Sequence, residues 1–315
     1  MKRLKIFTWH IHGSYLYYLS HIPHDIYLPK REDDALGYCG ITPSYAWPSN
    51  LHEIPFDEVK KQKFDCILFQ HHDNYLIHQH EVLSKEQQEL PRIYLEHDPP
   101  RENPTNTIHP VNDPGTMIVH VTDFNRLMWD CQKSPTTVID HGVKIPEGVR
   151  YNGDLEKGIV IVNNIAKRGR RLGLDIYQEA SKEVDLDLVG MGWEEANGIG
   201  EVSHQELPHF CSSYRYFFNP IRYTSLGLSI CEAMMIGMPI IGLATTELAT
   251  VVENNVSGFI STRPEELTIA AKELIRNKSL AEDWGEKARR AAVERFGMDR
   301  FVRDWNKTLH EVVRS

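Results

Sequence analysis

Short apolar runs of strand length alternate with longer amphipathic runs along the whole chain, and no other feature constrains the fold as much. LKIFTW, FDCILFQ, RIYLEH, TMIVHVT and PTTVIDHGV read as strands in the first half. GIVIVNNI, VDLDLVGMG, YRYFFNP, MPIIGLA and SGFIST do so in the second, with helical patterns such as LGLDIYQEASKEV, LGLSICEAMMIGM and PEELTIAAKELIRN between them. Parallel neighbours need a crossover, and a helix supplies it, so this alternation predicts an α/β fold of parallel sheets covered on both faces. At 315 residues the chain is long for one domain and comfortable for two. The polar stretch VKIPEGVRYNGDLEKG has Pro, Gly and charge without periodicity and marks the boundary. The expected organisation is a first domain over 1–146, a second over 147–297, and a C-terminal helix over 298–315. That helix is expected to pack back toward the first domain.

Charge and cysteine usage narrow the function classes. The net charge of −9 disfavours a nucleic-acid surface, which needs clustered cations to neutralise phosphates. It also weakens docking on an anionic membrane, leaving peripheral association at the inner membrane face as an open expectation. The five cysteines are scattered, with no CxxC pair, which argues against a disulfide framework or a structural zinc site and for a cytoplasmic location. No apolar run is long enough to span a bilayer, and the opening MKRLKIFTWHIHGS reads as a first strand rather than a secretory signal.

The segment Asn219–Gly242, NPIRYTSLGLSICEAMMIGMPIIG, carries the chemistry. It reads as strand, tight loop, helix and second strand. Ser225 is placed to cap the helix, leaving the amides of Leu226, Gly227 and Leu228 as first-turn donors. Such an end attracts anions, because free N–H groups and the helix dipole both favour negative charge. Gly227 lacks a Cβ and lets a phosphate approach the backbone. Glu232, two turns along in this reading, can accept both hydroxyls of a ribose. The pattern suggests a cradle for a nucleoside diphosphate, although a helix that binds nothing has the same outline. A second segment, NNIAKRGRRLG, places Lys167, Arg168, Arg170 and Arg171 between a strand and a helix. Guanidinium suits phosphate geometry, and open α/β sheets bind ligands at that edge, so Arg168 and Arg171 are the candidate diphosphate ligands. A solvated basic turn is the alternative.

The 219–242 segment resembles the signature of glycosyltransferase family 4, P-S-x-x-E-x-F-G-L-x-x-x-E-A followed by a G-x-P strand. Pro220, Gly227, Leu228, Glu232, Ala233, Gly237 and Pro239 fall in register. ELATVVENNVSGFIS, with Gly258 and Phe259, and the IDHGV turn at Ile139–Val143 are similar to further stretches of that family. The resemblance implies a GT-B fold: two facing Rossmann-like domains with a deep interdomain cleft that closes over substrates. It implies a retaining, metal-independent transferase of hexosyl type. The donor is a nucleotide diphosphate sugar and the acceptor a saccharide or lipid-linked hydroxyl, as in polysaccharide or glycolipid assembly, with no further cofactor. In the first half it points to Gly13 in HIHGSYLYYLS, near the donor phosphates. It also points to His97 in IYLEHDPP, beside the reacting centre, and less specifically to FQHHDN with His71 and His72.

The departures are equally specific. Thr224 stands where the family carries its first signature glutamate, eight positions before Glu232, and Thr246-Glu247 stand in place of a Gly-Gly pair. Thr224 can hydrogen-bond a sugar but supplies no charge, which leaves open a protein that binds nucleotide sugars without turnover. His10 and His12 form an HxH pair, a ligand spacing of metal-dependent hydrolase barrels, which is the remaining alternative. Neither reading distinguishes a uridine from a guanosine or thymidine nucleotide.

Overall fold

The computed structural model describes residues 2–33 and 35–314. It divides into two compact units, Met1–Gly142 with Met298–Ser315, and Val143–Gly297. The first unit holds β1 (Lys5–Thr8), β2 (Asp25–Lys30), β3 (Leu51–Pro55), β4 (Cys66–Phe69), β5 (Arg92–Glu96), β6 (Thr116–His120) and β7 (Thr136–Val138). They form one sheet in the order β3-β2-β1-β4-β5-β6-β7, with every pairing parallel. β4 is buried at each position, as a strand covered on both faces must be. Phe7, Trp9, Phe64 and Phe69 pack under the sheet, with the Phe7 and Trp9 rings 4.9 Å apart at a near-right angle.

β2 and β3 are absent from the sequence reading, and the reason is local. DIYLPK and LHEIP carry proline and charge inside short strands. β1 pairs with β2 only as far as Tyr27, so Pro29 lies beyond that ladder and pairs with β3 alone.

The helix Met298–Arg314 belongs to the first unit. Phe301 and Trp305 are fully buried, and the Trp305 indole N–H donates to the Tyr15 hydroxyl at 3.1 Å. A Cβ on Gly142 would stand 2.3 Å from the Phe301 ring, so the glycine of IDHGV admits this aromatic side chain.

The second unit holds β8 (Leu155–Ile161), β9 (Leu186–Val189), β10 (Tyr214–Asn219), β11 (Ile240–Leu243) and β12 (Gly258–Ser261). Their order is β12-β11-β10-β8-β9, again all parallel. Helices Leu174–Ala180, Leu228–Ile236, Pro264–Arg276 and Lys278–Phe296 accompany this sheet. The core runs from Val160, Leu188 and Phe218 to Leu267, Leu274 and Trp284. All five cysteines are free, four of them buried. The two open parallel sheets are not the single barrel that the hydrolase alternative requires. Among the described residues no helix is long and apolar enough to cross a membrane.

Candidate active site

An open parallel sheet forms a crevice at its carboxyl edge where successive crossovers leave in opposite directions. In Val143–Gly297 that point lies between β8 and β10, because β9 follows on one side of β8 and β10 on the other. In the first unit it lies between β1 and β4 for the same reason. HIHGS and FQHHDN leave β1 and β4, NNIAKRGRRLG and the loop of the 219–242 signature leave β8 and β10, and His97 follows the neighbouring strand β5.

In the second unit, backbone hydrogen bonds join the two loops at the crevice. The Arg171 carbonyl accepts from the amides of Arg222 (3.0 Å) and Tyr223 (3.2 Å), which bind the basic segment to the loop after β10. Gly173, at φ +80°, lies so close to Pro220 that a Cβ would meet its carbonyl oxygen at 1.9 Å. Glycine is therefore required there twice, by dihedral and by contact. Thr245 Oγ1 adds a bond to the Ile221 carbonyl from the loop after β11.

The helix begins later than its sequence suggests. It spans Leu228–Ile236 with Gly227 at the N-cap and no side-chain cap. Ser225 is thus not the cap, and its Oγ is buried without a hydrogen-bond partner. Leu226 and Gly227 precede the first turn, and Leu226 buries its side chain in the core. Gly227 has φ −70°, which any residue adopts, and a Cβ there would make only ordinary contacts. What glycine provides at this position is open backbone beside the helix tip. Thr224 is half-buried in the same loop.

Glu232 consequently lies about one turn into the helix rather than two. It is buried, and its Oε1 is 3.3 Å from His204 Nε2, a neighbour that no local pattern announces. A cavity of about 10 Å³, bordered by Cys211, Ser229 and Glu232, leaves room for roughly one water beside it.

The basic segment is helical rather than an open loop: a turn over Ile165–Arg168, then a 3₁₀ turn over Gly169–Leu172. Its cations are not equivalent. Arg170 pairs with Asp175 at 2.6 Å. Arg222, which the sequence reading passes over, grips both oxygens of that carboxylate (2.6 and 2.8 Å) and the Arg170 carbonyl (2.7 Å). The Arg222 guanidinium holds the Asp175 carboxyl below its ordinary range. Lys167 and Arg168 are exposed at the end of the first turn, and Arg171 is half-buried. Thr246 takes φ +52°, a strained conformation for a β-branched residue, where the resembling pattern has glycine. Glu247 is buried against Arg295 at 2.6 Å, so its charge is already matched.

In the first unit, Gly13 opens the helix Gly13–Leu19, and a Cβ on it would lie 3.1 Å from the Tyr45 ring and 3.3 Å from His10 Nε2. Its side-chain face is filled. His10 is buried with Nδ1 2.7 Å from the Gly40 carbonyl, a structural contact that separates it from His12. His12 instead meets His97, their ring centres 4.0 Å apart, with Tyr15 edge-on to His97 at 4.8 Å. Burial holds the His12 imidazole down at about 4, and burial with two neighbouring imidazoles holds His97 well below its usual range. His71, His72 and Asp73 at the end of β4 form the group of metal-capable side chains among the described residues, while His10 and His12 belong to no such group.

Residues 192–291 match the sequence family described as glycosyl transferases group 1. The chain is a glycosyltransferase of the GT-B fold. Solved structures share that fold at low sequence identity. Sucrose-phosphate synthase from Thermosynechococcus elongatus has a TM-score of 0.71 at 14% identity, covering 98% of this chain and 99% of that one. Anabaena HepE in complex with UDP and glucose gives 0.68 at 13%, covering 98% and 100%. A glycosyltransferase from Rickettsia africae gives 0.61 at 13%, with both chains covered in full. A comparison with curated proteins gives no match.

Proposed function

We propose that this glycosyltransferase is a retaining, metal-independent enzyme of family 4. It would move a hexosyl group from a nucleoside diphosphate to a hydroxyl of a saccharide or lipid-linked acceptor, in the cytoplasm or peripherally at the inner membrane face. The observation that carries the reading is the join at the β8–β10 crevice. Arg171 is bonded through its backbone to the loop that ends in the uncapped helix Leu228–Ile236. Two features that favour a diphosphate, guanidinium groups and a free helix tip, thereby share one strand edge.

In this mechanism the bond from the anomeric carbon to the diphosphate breaks, and the acceptor oxygen bonds to the same face of that carbon. The acceptor proton passes to an oxygen of the leaving phosphate. The main task of the protein is to stabilise the charge growing on that phosphate. Arg168, Arg171 and the amides at Gly227 and Leu228 do so without a metal. Glu232 accepts the ribose hydroxyls. Thr224 hydrogen-bonds the donor sugar, and His97 contacts the sugar or acceptor. Because HepE is known in complex with UDP and with UDP-glucose, uridine nucleotides are the first donors to test.

Thermal shifts with UDP, GDP, TDP and their sugars identify the donor, and Glu232→Ala should abolish the largest shift. Replacing Arg168 and Arg171 together by alanine should lower transfer by about 10²–10³-fold. Full activity in the double variant would remove the diphosphate assignment. Tight nucleotide binding without turnover, with any acceptor, would favour a binding protein and trace to Thr224.

A further inference from the structure

Gln70 leaves the end of β4 at the first unit's crevice and is 3% exposed, so water does not compete for its amide. Its nitrogen lies 3.0 Å from the Trp9 carbonyl and 3.0 Å from Thr8 Oγ1. A carbonyl only accepts, so the atom facing Trp9 must be the NH₂. The amide oxygen therefore faces the other way, toward His97 Nε2 at 3.3 Å. Two lone pairs would repel across that gap, which leaves one arrangement of protons. From this geometry we propose that Gln70 is a positioning residue that holds the proton of His97 on Nε2, so that Nδ1 meets the substrate as a hydrogen-bond acceptor.

The surroundings support this assignment. His12 lies against His97 with ring centres 4.0 Å apart and the rings tilted by 45°, and Tyr15 closes the side edge-on at 4.8 Å, so the ring has little freedom to turn. Burial keeps the imidazole uncharged, which preserves the lone pair on Nδ1. An acceptor at this position selects for ligands that present a hydroxyl and against those that present an anionic oxygen. The chemistry recognised here is thus a sugar O–H and not a phosphate. The role of Gln70 in transfer rests on the proposed contact between His97 and the sugar or acceptor, whereas the position of the proton does not.

The test uses the full chain labelled with ¹⁵N-histidine, with His97→Ala to identify the resonances. Imidazole ¹⁵N shifts near neutral pH should show a neutral His97 with the proton on Nε2. In Gln70→Leu the two tautomers should mix. The kcat should fall about tenfold, the loss expected for one oriented hydrogen bond, while the donor KM stays unchanged. A wild-type His97 protonated on Nδ1 would overturn the proposal, and that result needs no variant to fold. So would an unchanged tautomer in a folded Gln70→Leu. If the Nε2 proton is found but His97→Ala transfers at the full rate, the positioning claim for the proton stands and the reading of His97 as a reacting-centre residue fails.

Discussion

The two units build the same crevice, at the point where a parallel sheet reverses its crossover direction, and furnish it with opposite chemistry. The β8–β10 edge carries arginines and open backbone amides, with Arg171 tied to the loop of the uncapped helix. The β1–β4 edge carries imidazoles that burial keeps neutral, His12 after β1 against His97 from the end of the adjoining β5. Thirteen of the sixteen histidines lie before residue 145, so the contrast is written into composition as well as position. Topology supplies a place to bind, and the residues at the strand ends decide whether that place suits an anion or a neutral hydroxyl.

The largest effect expected from this contrast is on acid stability. Burial holds His24 at about 4 and His120 at about 3, each also disfavoured by a neighbouring imidazole, and both are almost wholly buried. In the unfolded chain a histidine takes its proton near the ordinary 6.5. The folded state therefore keeps its full stability above that value and loses it as the pH falls toward 4. The loss is roughly 1.4 kcal/mol per pH unit for each such histidine, hence several kcal/mol in total. The other unit contains only His204 and His209. Hydrogen exchange followed from pH 7 to pH 4 should show β2 and β6 losing protection before β8 and β10. Simultaneous loss in both units would break the contrast.

A smaller effect tests the join in the anion-binding edge. Gly173→Ala forces a Cβ into the Pro220 carbonyl at a positive φ. It should cost about 3 kcal/mol in urea unfolding and weaken nucleotide binding in proportion. Wild-type stability would mean that the two loops separate freely.

The smallest effect sharpens the role of Ser225, whose buried hydroxyl has no partner. Ser225→Ala should leave the ligand-free protein equally stable, or up to about 1 kcal/mol more so, because an unsatisfied group is removed. If that hydroxyl donates to a phosphate, the same variant should weaken nucleotide affinity by about tenfold in calorimetry. Unchanged affinity would take Ser225 out of the site.

How much of this was legible in advance depends on the range of the interaction. The strand β10 and the strand after Pro239 follow from neighbouring residues. β2 was missed because proline and charge interrupt its pattern, and it forms only through its partners on either side. The helix start was misplaced because Ser225 has the chemistry of a cap, yet the chain bends there without turning into helix, and Gly227 is still extended. Arg222 drew no notice as a single cation in a loop. Only folding brings it against Asp175, 47 residues away, where it shares that carboxylate with Arg170.

By itself the sequence determined the alternation of strands and helices and the signature around Gly227 and Glu232, which are carried by residues close together in the chain, and the concentration of histidine before residue 145. The tertiary structure alone decided which cations are already paired, that His204 faces Glu232, and that Gln70 faces His97. Charge pairing and proton position are contact properties that act over a few ångströms. The strand order chooses the contacts between residues far apart in the chain.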